Sequence, residues 1–213
     1  MDSAFLLSIL FNIGITVEAM TGALAAGERR MDLIGVLVVA TVTAFGGGAA
    51  RDVLIGRYPL IWVAKPELLL LTSIAALVMV VIARYASRLE KTFLALDALG
   101  LATFTIVGAQ RAMDVGHGLA IASVMGVITG IFGGILRDLL CNRIPLAFQR
   151  ELYATVSIVA VWLFLIQDNL GIPDTFSVPI TLVFGFSLRM LALKYDWEMP
   201  KFVYKAQRMD RKK

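Results

Sequence analysis

Cysteine and histidine are almost missing from this chain: Cys141 and His117 are the only ones among its 213 residues. One cysteine cannot close a disulfide within the chain, and one of each cannot assemble a Cys/His metal centre. No paired His or Cys and no nucleophile set beside a base is present, which argues against an intramembrane enzyme. His117 falls at a water-facing helix end and is given no chemical role. Charge is scarce as well: Asp, Glu, Lys and Arg make up 17% of the chain, against roughly 25% in soluble domains. What remains is 59% hydrophobic with a mean hydropathy of +0.81. A soluble bundle keeps a larger polar face for water, so the chain reads as an all-α integral membrane protein.

Apolar stretches long enough to cross a hydrocarbon core of about 30 Å as helix fall at about 5–26, 33–55, 67–83, 92–112, 117–139, 151–167 and 177–193. The first has no basic region before it, so it is read as a span and not as a cleaved signal peptide. Basic loops stay on the cytoplasmic side. With the amino terminus outside, the inner side collects Arg29, Arg30, Arg84, Arg88, Lys91, Arg143, Arg150 and the segment from Arg189 onward, and the outer side only Arg57, Lys65 and Arg111. The carboxyl terminus is therefore placed in the cytoplasm. The tail at 196–213 is basic and suits anionic lipid head groups; it is not read as a nucleic-acid-binding element.

A motif then appears twice, GGGAARDVLIGRYPL from Gly46 to Leu60 and FGGILRDLLCNRIPL from Phe132 to Leu146, with Gly133 following Gly47 by 86 positions. The same offset pairs Gly14 with Gly100, Gly22 with Gly108, Thr43 with Thr129, Arg51 with Arg137, Asp52 with Asp138 and Pro59 with Pro145. Each copy holds three spans. An odd number makes the second copy enter the membrane from the opposite side, so the repeats are inverted. The chain divides into a first three-helix repeat at 1–88, a second, inverted one at 89–170, a seventh transmembrane helix at 171–195 and the tail at 196–213.

Gly46, Gly47, Gly48, Gly133 and Gly134 weaken helix propagation and remove side chains. Both effects suit a bent or unwound helix beside a cavity, and close helix packing is the plainer reading. Arg51, Asp52, Arg137 and Asp138 follow at once. Neighbouring helix positions point about 100° apart, so the Arg and Asp of one copy cannot both face a pore and need not pair with each other. The arginines are read as structural anchors of helix ends, and the aspartates, Asp138 above all, as facing an ion path. Glu18 and Asp97 break the symmetry, aligning with Phe104 and Phe11, and serve as cation or proton sites or as neutralised acids. Thr43 and Thr129, one turn before the glycines, either bond back to their own helix or line a pore. Pro59 and Pro145 fix the turns.

The doubled G-G-x-x-R-D-x-L…P block, with LDALGLATFTIVGAQ from Leu96 to Gln110 opening the second half, resembles the prokaryotic branch of the trimeric intracellular cation (TRIC) channel family. The resemblance implies a seven-helix protomer in a homotrimer. Each protomer would carry an hourglass pore for monovalent cations, chiefly K+, constricted at kinked middle helices bearing Gly46, Gly47, Gly48, Gly133 and Gly134. Phe132, where a third glycine is expected, and Glu18, where an apolar residue is expected, depart from that pattern. Related bacterial proteins are also described as carrying a glycine-transporter domain. Two functions stand: a passive channel with K+ or Na+ as permeant ion and no cofactor, or a secondary transporter of glycine or another small zwitterion using Glu18 and Asp97 as coupling acids.

Overall fold

In a computed structural model, which describes residues 3–85, 89–149 and 152–197, the chain is entirely helical among the described residues. The elements are α1 Ser3–Glu28, α2 Leu33–Leu54, α3 Ile61–Ala64, α4 Glu67–Ala83, α5 Leu89–Asp114, α6 Leu119–Leu140, α7 Leu146–Gln149, α8 Tyr153–Asn169 and α9 Asp174–Lys194. Helices α1, α2, α5, α6 and α9 are long and apolar enough to cross a membrane. Helices α4 and α8 are apolar but have 17 residues each, a length of about 25 Å at 1.5 Å per residue. The four-residue helices α3 and α7 were not anticipated. The tail beyond Trp197, with Arg88 and Arg150, lies outside the described residues.

Turns recur at the repeat offset. Helix α2 ends on Gly56 at φ 68°, and α6 ends on Asn142 at φ 50°. These are the two residue types that most readily adopt the left-handed conformation closing a helix. Beyond them, the Arg57 amide donates to the Asp52 carbonyl and the Arg143 amide to the Asp138 carbonyl, both at 2.8 Å. Helices α1 and α5 close alike, the amides of Met31 and His117 donating to the carbonyls of Ala26 and Ala112 at 3.2 and 3.1 Å. The start of α2 is capped by the Asp32 carboxylate, which accepts from the Gly35 amide at 2.7 Å; Gly118 stands at the matching place before α6 and supplies no side chain.

The principal packings run between α1 and α2, α5 and α6, α1 and α5, and α2 and α6. These four helices form the interior. Helix α4 lies against α1 and α2, and α8 against α5 and α6, while α9 packs on α5 and α8. Leucine, isoleucine, valine and phenylalanine face outward, as at Leu70, Ile74, Val81, Ile180 and Val183, and Glu18, Arg51, Asp97, Arg137 and Arg189 are buried. Apolar outside and polar inside is the arrangement lipid selects, because hydrocarbon cannot satisfy a charged group. The chain is an integral membrane protein.

Candidate functional site

The site grows from the crossing of α2 and α6. A β-carbon added to Gly47 would collide with the Thr129 carbonyl oxygen, and one added to Gly133 with the Thr43 carbonyl oxygen. Each helix thus seats its glycine on the other's backbone, 86 positions apart in both senses. Gly46 faces the Leu136 side chain, 2.5 Å from where its β-carbon would stand. Gly48 meets only Arg51 Nη2 at 3.7 Å, and Gly134 meets Tyr153 Oη at 3.2 Å and Arg137 Nη2 at 3.5 Å. The second glycine of each pair therefore leaves room for the arginine one turn on.

Unwinding at the glycines does not occur. Both helices run unbroken, from Leu33 to Leu54 and from Leu119 to Leu140. The two threonines bond back, Thr43 Oγ1 donating to the Val39 carbonyl and Thr129 Oγ1 to the Met125 carbonyl, each at 2.6 Å.

Both Arg-Asp neighbours pair, a contact that the helical angle left open. Arg51 Nε and Nη2 donate to Asp52 Oδ1 at 3.0 and 2.8 Å, and Arg137 Nε donates to Asp138 Oδ1 at 2.9 Å. The 100° separation applies where the side chains leave the backbone; the long arginine stem curls back across it. Asp138 Oδ2 accepts the Leu146 amide at 2.9 Å. That carboxylate fixes the start of α7 just after Pro145.

Arg137 is the hub. Its Nη1 donates to Asp97 Oδ1 at 2.7 Å and to Thr21 Oγ1 at 3.3 Å, and its guanidinium lies 4.6 Å over the Phe93 ring. Thr21 Oγ1 in turn donates to Glu18 Oε2 at 3.2 Å, and the Glu18 carboxylate rests against Gly100 of α5. One connected network therefore joins α1, α5, α6 and α7 through Glu18, Thr21, Asp97, Arg137 and Asp138, all buried. Close by, the Arg189 guanidinium stacks 4.7 Å over buried Tyr153.

At the opposite end Arg51 has Asp52 alone. Its Nη1 is buried without a hydrogen-bond partner among the described residues. Glu18 and Asp97 are thus brought together around Arg137, and Arg51 with Asp52 stands apart from them.

Two cavities open at opposite ends of α1. One, of about 380 Å³, is walled by Ser8, Phe11, Asn12, Lys65, Glu67 and Arg111 among others. The other, of about 390 Å³, is walled by Ala23, Gly27, Glu28, Met79, Arg84 and Phe93 among others. At the second end Arg143 forms an ion pair with Glu28. His117 lies in the turn between α5 and α6, and Cys141 is buried at the end of α6. No group of three His, Cys, Asp or Glu side chains among the described residues is arranged to hold a metal ion.

Sequence reasoning missed Thr21, Phe93 and Tyr153 as parts of the site. It also grouped Arg189 with the basic tail, whereas Arg189 is buried within α9. None of these repeats at the 86-residue offset, so no doubled pattern marks them; Tyr153 corresponds to Glu67, for example.

The family profile described as "Glycine transporter" matches twice, at residues 8–84 and 94–169. An inner membrane protein of Escherichia coli, YadS of the UPF0126 group, is 38% identical over 202 residues, covering 89% of this chain and 93% of its own. A UPF0126 membrane protein of Vibrio cholerae is 33% identical, with coverage of 92% and 83%. Among solved structures, the TRIC channel orthologue of Rhodobacter sphaeroides superposes with a TM-score of 0.86 at 35% identity, over 89% of this chain and 98% of that one. A TRIC channel of C. elegans shares the fold alone, at a TM-score of 0.61 and 13% identity, with coverage of 91% and 97%.

Proposed function

The chain belongs to the glycine-transporter family, the group of the UPF0126 membrane proteins and the prokaryotic TRIC channels, and on that footing we propose that it is a channel for monovalent cations. K+ is its chief permeant ion and Na+ a second one, with no cofactor and no catalytic step. Each protomer of a homotrimer carries its own path. Seven helices span the bilayer as two inverted three-helix repeats and a seventh helix, the amino terminus outside and the carboxyl terminus in the cytoplasm. The basic tail rests on anionic lipid.

The observation that carries this reading is the set of acids in the interior. Glu18, Asp97 and Asp138 gather around Arg137, with the Arg189 guanidinium close by over Tyr153, and Asp97 Oδ2 has no hydrogen-bond partner among the described residues. A buried carboxylate oxygen left open in this way attracts cations and repels anions. In this reading Asp138 and Asp52 face the path, with Asp97 and Glu18 on its wall. Arg51 and Arg137 hold helix ends in place. The waist lies where α2 and α6 approach closest, at Gly46, Gly47, Gly48, Gly133 and Gly134, with Thr43 and Thr129 beside it. Binding weak enough to release the ion then gives conduction.

A second reading, a carrier for glycine or another small zwitterion, is favoured by one feature. The 380 Å³ cavity holds the cationic Lys65 and Arg111 together with the anionic Glu67, which suits a carboxylate and an ammonium at once. Purified protein in sealed liposomes separates the two. The channel passes K+ at a rate that rises with gradient without saturating, and Asp97→Asn, which removes the carboxylate whose Oδ2 is open, lowers it. Saturable glycine uptake without K+ flux overturns the channel reading.

A further inference from the structure

The two halves of the path are not alike, and four residues of α1 and α5 carry the difference. At the repeat offset, Asp97 corresponds to Phe11 and Glu18 to Phe104. The surrounding geometry corresponds as well. Gly14 and Gly100 are equivalent positions, and the equivalent residue of the other helix reaches each: the Glu18 carboxylate covers Gly100, and the Phe104 ring lies over Gly14 beside the Thr103 methyl, Cε1 and Cγ2 being 2.9 and 2.8 Å from where a β-carbon would stand.

Where Asp97 meets Arg137 at one end, Phe11 meets Phe104 at the other, with ring centroids 6.2 Å apart and planes tilted by 51°. The buried Arg51 Nη1 without a partner is the counterpart of the Arg137 Nη1 that holds Asp97. It lacks a carboxylate because that position is Phe11. Phe11 also forms part of the wall of the 380 Å³ cavity.

We propose that Phe11 and Phe104 form an apolar seal at the base of this cavity, limiting permeation by keeping the constriction beneath its polar mouth dry. This rests on the channel reading. If Glu18 and Asp97 stand on the wall of the path, the repeat relation puts Phe104 and Phe11 on the same faces of the same two helices. Two phenyl rings offer no oxygen to replace an ion's hydration shell, and an apolar constriction gates by expelling water. The acid-lined end stays wet, so the slow step lies at the aromatic end.

The test measures K+ flux in liposomes, with carboxyfluorescein retention to exclude a general leak. Phe104→Ala should raise the flux about tenfold, the factor that about 1.4 kcal/mol off a barrier gives. Phe104→Leu, still bulky and apolar, should leave it near the wild-type rate. The double replacement Phe11→Asp with Phe104→Glu copies the acidic end and offers Arg51 Nη1 its missing carboxylate, so it should raise the flux at least as far as Phe104→Ala. Should Phe104→Ala fail to fold, the double replacement decides. If the wild type conducts and neither open variant exceeds it, the seal is wrong and the channel reading stands. Failure of both variants to fold makes the pair structural and overturns the seal. A wild type that passes no K+ but accumulates glycine overturns the channel reading, and the seal with it.

Discussion

Adding one methyl group at Gly47 and, separately, at Gly48 distinguishes the two uses of the glycine run. Alanine favours a helix interior over glycine by about 1 kcal/mol. At Gly48 the nearest obstacle is Arg51 Nη2 at 3.7 Å, an ordinary van der Waals contact that requires nothing to shift, so Gly48→Ala gains most of that amount. At Gly47 the obstacle is backbone: the carbonyl oxygen of Thr129, with its carbonyl carbon at 3.1 Å and Cα at 3.3 Å from the added atom. A helix cannot yield as a side-chain tip does. Forced separation or distortion costs about 1–3 kcal/mol, so after the propensity gain Gly47→Ala loses up to about 2 kcal/mol. For a protein of this size each kcal/mol moves Tm by about 2–4 °C. Heating in detergent followed by size-exclusion chromatography should then show Gly48→Ala unchanged or a few degrees higher, and Gly47→Ala several degrees lower. Gly133→Ala, which meets the Thr43 carbonyl, should match Gly47→Ala. Equal losses at positions 47 and 48 would refute close approach and return the run to helix flexibility.

Arg137→Met should cost more stability than Arg51→Met in the same heating assay. The first strands Asp97 and Asp138, the second only Asp52, and breaking a buried pair costs about 3–5 kcal/mol; equal losses would contradict the hub. Cys141 is 1% exposed, and burial pushes its thiol up from the ordinary value. At pH 7 less of it is thiolate, so folded protein should take maleimide far more slowly than protein opened in SDS; equal rates would place Cys141 at the surface.

The duplication was legible because glycines, prolines and charges at a fixed spacing mark turns and crossings directly. The helix ends at Gly56 and Asn142 repeat in geometry as they do in position. The limits of the long helices were legible to within a few residues, since apolar length is a one-dimensional property. The Arg-Asp pairing was not, because helical angles describe where a side chain starts and arginine ends four bonds further out. Glu18 and Asp97 were recognised as acids in need of partners, but their shared link to Arg137 depends on how α1, α5 and α6 cross. The glycines were open to two readings from sequence. Only the position of the Thr43 and Thr129 carbonyls shows that close approach is what Gly47 and Gly133 provide.

The most direct measurement is the reversal potential of purified protein in a planar bilayer under a tenfold KCl gradient. A cation channel shifts it toward the K+ equilibrium potential, approaching about 59 mV, and Asp97→Asn reduces the shift. A potential near zero, a shift toward the Cl− equilibrium, or no current in protein that takes up glycine saturably would contradict cation permeation through an acid-lined interior.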